Sequence, residues 1–383
     1  MISYYLILKK RIEYAEEYYM KKFLPLLILL SCSPETPENK FAEQMDGYFS
    51  KEFAPDQPGG SVLVMKDTMI VFSKGYGLAD LNTKELITSK TLFNLGSISK
   101  TFVSNGILIL QEQGKLSMED SLYKYFPTFK NKAIAQKVKI KHLLTHTSGL
   151  PDNRQVSKDS VFYLTAKDAE NWYPITQTDT LEFEPGSKYK YSNPAYNGLA
   201  LIIEQVSEMK WQTFISEKIL IPSGMDRSTI TDSAHPNSGV SHGYTMIQGQ
   251  WREDDYGEEP TFCAAGNGGV WSTVEELASY ELALRRGTFL GIKSIDESVV
   301  IKTFTNWSEK DPPFIGWSWW IGQTSDGLKT IGHTGSQGGF QANYVSIPEK
   351  GILFVILCNS PRDMKRVTDK VTTKLREQHY LDK

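Results

Sequence analysis

Ser97 and Lys100 stand three positions apart in "NLGSISKTF", Asn94 to Phe102, where a turn gives way to an apolar run. A serine hydroxyl is a poor nucleophile unless a base takes its proton as it attacks. Residues three apart in a first helical turn share a face, so Lys100 can reach Ser97. A lysine desolvated in a cleft can be neutral and act as that base. The helix N-terminus would add unpaired N–H groups and a positive dipole end beside a developing oxyanion. The same spacing also occurs where a serine simply caps a helix beside a solvated lysine. A second place for chemistry is His142 with His146 in "KIKHLLTHTSGL", which could share a helix face as metal ligands do. No glutamate of the HExxH pattern lies between them and the run ends in a Ser-Gly turn, so no metal and no cofactor is expected.

These residues need elements to hold them. "NKFAEQMDGYFSKEF" has Phe41, Met45, Tyr48 and Phe49 at helical spacing. "SVLVMKDTMIVFSKGYG" reads as two strands around a Lys-Asp turn, dense enough in apolar residues for a buried sheet. The helix after Ser97 carries Val103, Ile107 and Leu110 on one face and stops at Gly114, and Ser117 with Asp120 suits the cap of the next helix. From there to about residue 310 the chain reads as mainly helical and loop-rich. "FIGWSWWIG", "GLKTIGHTG", "FQANYVSI" and "GILFVILCN" then read as strands, with Pro348-Glu349-Lys350-Gly351 as the last hairpin turn and a final helix from about Asp363. Strands at both ends and helices between them imply an α+β fold, one sheet built from both termini with a mainly helical lobe. The cluster Trp317, Trp319 and Trp320 is expected to pack in the core and at the sheet edge. His146 is expected to shape a turn under the cleft.

Two further motifs follow the serine and lysine in order: Tyr191-Ser192-Asn193 in "YKYSNPAY" and His333-Thr334-Gly335 in "IGHTGSQGG". Ser-x-x-Lys, Tyr-Ser-Asn and His-Thr-Gly together resemble the serine β-lactamase and penicillin-recognising family. The tyrosine is similar to the class C branch, which also holds D-alanyl-D-alanine carboxypeptidases, D-aminopeptidases and esterases. "VKIKHLLTHTSGLP", "FEPGSKYKYSN", "GNGGVWSTVEELASY" and "GHTGSQGGFQANYVSIPEKGILFVILCNS" also resemble that family and carry the likeness along nearly the whole mature chain. The resemblance implies a β-lactamase/transpeptidase-like antiparallel sheet with flanking helices. It implies Ser97 as the acylated nucleophile, with Lys100 and Tyr191 sharing the proton. Asn193 would bond Lys100 and the substrate amide. His333, Thr334, Gly335 and Ser336 would form the substrate-binding strand, and the N–H groups of Ser97 and Ser336 the oxyanion hole. Gly335 would let the substrate backbone approach that strand.

One position departs from the family. Its β-lactamases usually carry lysine where this chain has His333, which at an unperturbed pKa of about 6.5 is mostly uncharged near neutrality. Carboxylate anchoring should be weaker, favouring peptidase or esterase activity over β-lactam hydrolysis. A pH dependence in the histidine range is expected to follow. The reading is a serine hydrolase acting on an ester or a D-amino-acid peptide or amide. A class C-like β-lactamase and a penicillin or peptidoglycan receptor that is acylated without turnover are the alternatives.

The 383 residues are 40% hydrophobic with a net charge of -3, enough for a large core and without the basic stripe that nucleic acid would need. The three cysteines, Cys32, Cys263 and Cys358, are too scattered for a disulfide framework. "MKKFLPLLILLSCS", from Met20, has the charged, apolar and small-residue parts of a secretory signal. Leu29-Leu30-Ser31-Cys32 resembles a bacterial lipobox, implying export and a lipid anchor at Cys32 in a bacterial membrane, facing the periplasm. The expected organisation is therefore a signal segment at 1–31, a linker at 32–38 and one two-lobed catalytic domain at 39–383. Acidic residues ahead of Lys21 suit no signal, so translation is expected to begin at Met20.

Overall fold

The computed structural model describes residues 37–154, 162, 165–230, 238–253, 263–308, 310 and 314–382. The expected signal segment at 1–31, Cys32 and most of the expected linker lie outside them. The chain divides into two compact units, Met1–Lys40 and Phe41–Lys383. The sheet and the site belong to the second. Among the described residues no helix is long and apolar enough to cross a membrane.

Helix α1 (Pro37–Glu52) precedes the hairpin β1 (Gly60–Lys66) and β2 (Met69–Tyr76), which turns at Asp67 with φ 55°. The longer helices that follow are α2 (Ser99–Glu112), α3 (Asp168–Thr176), α4 (Asn193–Ser207) and α5 (Val274–Arg286). Between them run the short strands β3 (Phe93–Asn94), β4 (Tyr244–Ile247), β5 (Gln250–Glu253) and β6 (Trp271–Ser272). β7 (Trp320–Gln323), β8 (Lys329–Gln337), β9 (Phe340–Ile347), β10 (Ile352–Cys358) and α6 (Met364–Glu377) complete the chain.

Six strands form one antiparallel sheet in the order β2-β1-β10-β9-β8-β7, so both chain ends build it, as the strand distribution implies. The continuous apolar run of β10 follows from its central place, because alternate side chains enter different cores. Leu353, Val355 and Leu357 join the core under α2, whereas Ile352, Phe354, Ile356 and Cys358 join Phe41, Met45 and Phe49 of α1 and Val367 and Val371 of α6. Truncating one of these buried phenylalanines to alanine would cost about 3–5 kcal/mol. The hairpin β9–β10 turns through Pro348–Lys350 and Gly351 as expected. Ser117 and Asp120 instead close a turn on each other, Ser117 N–H donating to Asp120 Oδ2 at 2.9 Å, and the next helical turn begins only after Ser121.

Helix α2 is buried along its first twelve residues, Ser99 to Leu110, so the residues that follow Ser97 are clamped by packing. It ends where Gly114 adopts φ +69°, a left-handed conformation that suits glycine. This fixed helix anchors the short turn Gly96–Ile98 before it, which sets Ser97 against β8 at Gly335.

Candidate active site

The turn bearing Ser97 is held on both sides. Asn94 Oδ1 accepts the Gly96 N–H at 2.8 Å and Asn94 Nδ2 donates to the Gly268 carbonyl at 3.1 Å. Leu95 N–H donates to Val270 O at 2.9 Å, and Val270 N–H to Ser99 Oγ at 3.0 Å. Gly96 sits at φ +50°, and a Cβ there would lie 2.7 Å from the Ser336 nitrogen. A Cβ on Gly335 would lie 1.9 Å from Leu95 O and 3.2 Å from the Ser97 nitrogen. Two glycines thus let β8 and the serine turn meet main chain to main chain, with the main-chain nitrogens of Ser97 and Ser336 both at the contact.

Lys100 is completely buried. Its Nζ lies 3.0 Å from Ser97 Oγ and 2.7 Å from the carbonyl of Asn267. Burial, aided by the guanidinium of Arg154, holds its pKa well below the ordinary lysine value. A neutral amine can donate one N–H to Asn267 and turn its lone pair to the Ser97 hydroxyl, the arrangement a general base needs. Arg154 is itself buried, donating from Nε and Nη2 to Asp152 at 2.8 and 2.7 Å and from Nη1 to Asn171 at 2.7 Å.

Tyr191 lies beside this pair, with Lys100 Nζ 5.2 Å from its ring centroid. Its ring stacks on His146 at 4.3 Å and on Trp320 at 6.4 Å. Ser192 caps α4, its Oγ accepting the Ala195 N–H, while its own N–H donates to His146 Nδ1 at 3.0 Å. That bond puts the imidazole proton on Nε2, and burial with Lys100 and His333 nearby keeps the ring neutral. His146 does form a turn, at φ 57°, and it is also a wall of the site. His142 Nδ1 accepts the Lys139 N–H at 3.1 Å, so both histidines of that pair accept from the main chain.

The structure brings Ser97, Lys100, Tyr191, His333, Gly335 and Ser336 together. Asn193 is the first residue of α4, and among the described residues no hydrogen bond joins it to Lys100. The lysine meets the Asn267 main chain instead, because the 263–270 loop runs under the first turn of α2. Thr334 and Ser336 are exposed on β8, alternating with buried His333 and Gly335 as one strand requires.

His333 is 2% exposed, its Nδ1–H donating to Thr334 O at 2.6 Å. Burial, then Lys100, push its pKa down to about 3. The expected pH dependence in the ordinary histidine range is therefore corrected: this ring stays neutral through that range. Trp317 and Trp319 are core residues, and Trp320 packs at the sheet edge on β7 as expected, there standing 5.8 Å from His333 and stacked on Tyr191. The Asn267 carbonyl, Arg154 and Trp320 were not legible as site groups from spacing. The Gly268-Gly269 pair beside Asn267 was the available signal, since a Cβ at Gly268 would strike Gln337 Oε1 at 2.0 Å.

The Beta-lactamase family model matches residues 38–376. A penicillin-binding protein of Bacillus subtilis is 26% identical over 329 residues, covering 80% of this chain and 69% of that protein. A protein of Escherichia coli K12, named as a proposed D-alanyl-D-alanine carboxypeptidase, is 26% identical over 378 residues, covering 87% of this chain and 86% of its own. The solved structure of an octameric penicillin-binding protein homologue from Pyrococcus abyssi superposes with a TM-score of 0.73 at 26% identity, covering 84% of this chain and 73% of that one. With Ser97, Tyr191 and His333 of the three motifs gathered around Lys100, the chain belongs to the Beta-lactamase family of serine hydrolases.

Proposed function

We propose that this chain hydrolyses an ester or a D-amino-acid peptide or amide through an acyl-enzyme on Ser97. The observation that carries the reading is the buried Lys100 Nζ, 3.0 Å from Ser97 Oγ and depressed in pKa. Neutral Lys100 takes the Ser97 proton as the hydroxyl attacks the substrate carbonyl, and Tyr191 shares its passage to the leaving group. The developing oxyanion falls between the Ser97 and Ser336 N–H groups. The leaving amine or alcohol departs protonated, and water then attacks the ester to release the acid and restore Ser97. Neutral His333 supplies no fixed cation for a substrate carboxylate, which favours neutral esters and amides over β-lactams.

A fluorophosphonate probe should label Ser97, and Ser97→Ala should abolish labelling. Labelling that survives Ser97→Ala sinks the assignment. Turnover of a short-chain aryl ester or a D-alanyl peptide above a chromogenic cephalosporin supports hydrolase action. Preferred cephalosporin turnover would make the chain a β-lactamase, and acylation without turnover a receptor. Export and anchoring through diacylglyceryl-modified Cys32 belong to the same proposal. Mass spectrometry of the native membrane fraction should find that modified cysteine as the first residue, and a mature Met1 peptide would refute it.

A further inference from the structure

We propose that Asp168 is a positioning residue for the nucleophile and its lysine, acting through Asn197 and the 263–270 loop. This rests on Ser97 and Lys100 being the acylating pair. Asp168 is the first residue of α3 and is buried, and among the described residues no cation pairs with it. Its Oδ1 accepts the Gly266 N–H at 2.8 Å and Asn197 Nδ2 at 2.7 Å, and its Oδ2 accepts Trp211 Nε1 at 2.8 Å. Burying a carboxylate costs several kcal/mol unless donors replace its water. Two of these donors lead directly to the site. Gly266 precedes Asn267, whose carbonyl accepts from Lys100 at 2.7 Å, and Asn197 Nδ2 also donates to Asn267 Oδ1 at 3.0 Å. Asp168 thus holds Asn267 by its main-chain neighbour and by its side chain, and Asn267 in turn aims the lysine.

The loop admits little play elsewhere. A Cβ on Gly266 would lie 2.7 Å from Ala200 Cβ and 2.8 Å from Tyr196 O, so the loop lies flat on α4. Farther along it, Gly268 O and Val270 meet Asn94, Leu95 and Ser99 on either side of Ser97. A shift at Gly266 would therefore move the acceptor of Lys100 relative to a serine turn tied to the other end of the same loop. Burial raises the Asp168 pKa to about 7, so the carboxyl titrates near neutrality. The charged groups around it are Glu204 on α4, 3.4 Å from Lys210, Glu170 beside it on α3, and Arg154 on Asn171. Tyr196 on α4, its phenol held neutral by burial, and Cys263 are the other titratable side chains of the adjoining helix and loop.

The test is the rate constant of fluorophosphonate labelling at Ser97 from pH 5 to 10, counted per competent site, in wild type, Asp168→Asn and Asn197→Ala. In Asp168→Asn the amide sets an N–H against at least one of the three donors, and losing the charge weakens the bonds to Gly266 and Asn197 as well. Labelling should slow roughly tenfold, the scale of a displacement of a few tenths of an ångström. Its acid limb should move to lower pH, because an ammonium on Lys100 would lose the carbonyl that steadies it. Asn197→Ala, which cuts only the side-chain link, should slow labelling roughly threefold in the same direction. A purely structural role would lower the fraction of competent protein and leave the rate constant and the limb in place, and that result overturns the proposal. If Asp168→Asn does not fold, Asn197→Ala alone decides by the same criterion. Wild type that is not labelled at Ser97 would instead overturn the hydrolase reading beneath it.

Discussion

Gly335→Ala puts a methyl group where the main chain of Leu95 already lies. The new Cβ would stand 1.9 Å from Leu95 O, 2.9 Å from Leu95 C and 3.2 Å from the Ser97 nitrogen. An ordinary C···O approach is about 3.3 Å, so strand and turn must part by about 1.4 Å. At Gly335 β8 is paired with β9, and up to Gly332 with β7 as well, so the strand yields less than the turn. The displacement therefore falls on Leu95 to Ser97 and separates the Ser97 N–H from that of Ser336. A misplacement of about 1 Å costs roughly a hundredfold in rate, which is about 2.7 kcal/mol of transition-state stabilisation. Overpacking should cost about 1–3 kcal/mol of stability, leaving a folded protein to assay. Gly322→Ala on neighbouring β7 is the control, because its Cβ meets only the Thr330 hydroxyl, at 2.8 Å. The measurements are the fluorophosphonate labelling rate, aryl ester kcat/KM and thermal unfolding of both variants. Labelling of Gly335→Ala within about threefold of wild type, at an unchanged Tm, would refute the claim that this contact sets the oxyanion geometry.

His333→Lys adds a second amine to the buried cleft. It should raise kcat/KM for a carboxylate-bearing D-alanyl peptide about tenfold relative to a neutral aryl ester, about 1.4 kcal/mol, and an unchanged ratio would confine His333 to a structural part. Stability should also respond to acid through this residue. Its folded pKa of about 3 lies below the unfolded value of 6.5, so the unfolded state binds more protons between them. The contribution is full above pH 6.5 and is lost as pH falls toward about 3. Between pH 7.5 and 4.5 this amounts to about 2–3 kcal/mol. His333→Asn should lose less stability than wild type over that window, and parallel urea unfolding curves would contradict it. Asp168, raised to about 7, acts with the opposite sign, but it is present in both proteins and cancels in the comparison.

Much of the candidate site was readable in the chain because it depends on local geometry. Ser97 and Lys100 face each other because they lie three apart at a helix start, and that relation holds wherever the helix packs. The strand was readable too, since a short, uninterrupted apolar run such as "GILFVILC" bounded by turn residues fits a buried strand. Other features depended on residues far apart in sequence. The acceptor for Lys100 is a main-chain carbonyl, Asn267 O, and every residue type offers one, so no pattern of side chains could mark it. His333 was expected to titrate near neutrality because its type says so, yet its position beside Lys100 in a dry strand interior moves it to about 3. Desolvation is a property of the surroundings. Likewise Trp320 reads as one more aromatic of a core strand, and only the stacking of Tyr191 between it and His146 brings it to the site. The sequence by itself determined which residues could do the chemistry and the strands and helices that carry them. The tertiary structure decided their protonation and their partners, because both are set by burial and by contacts between segments distant in sequence.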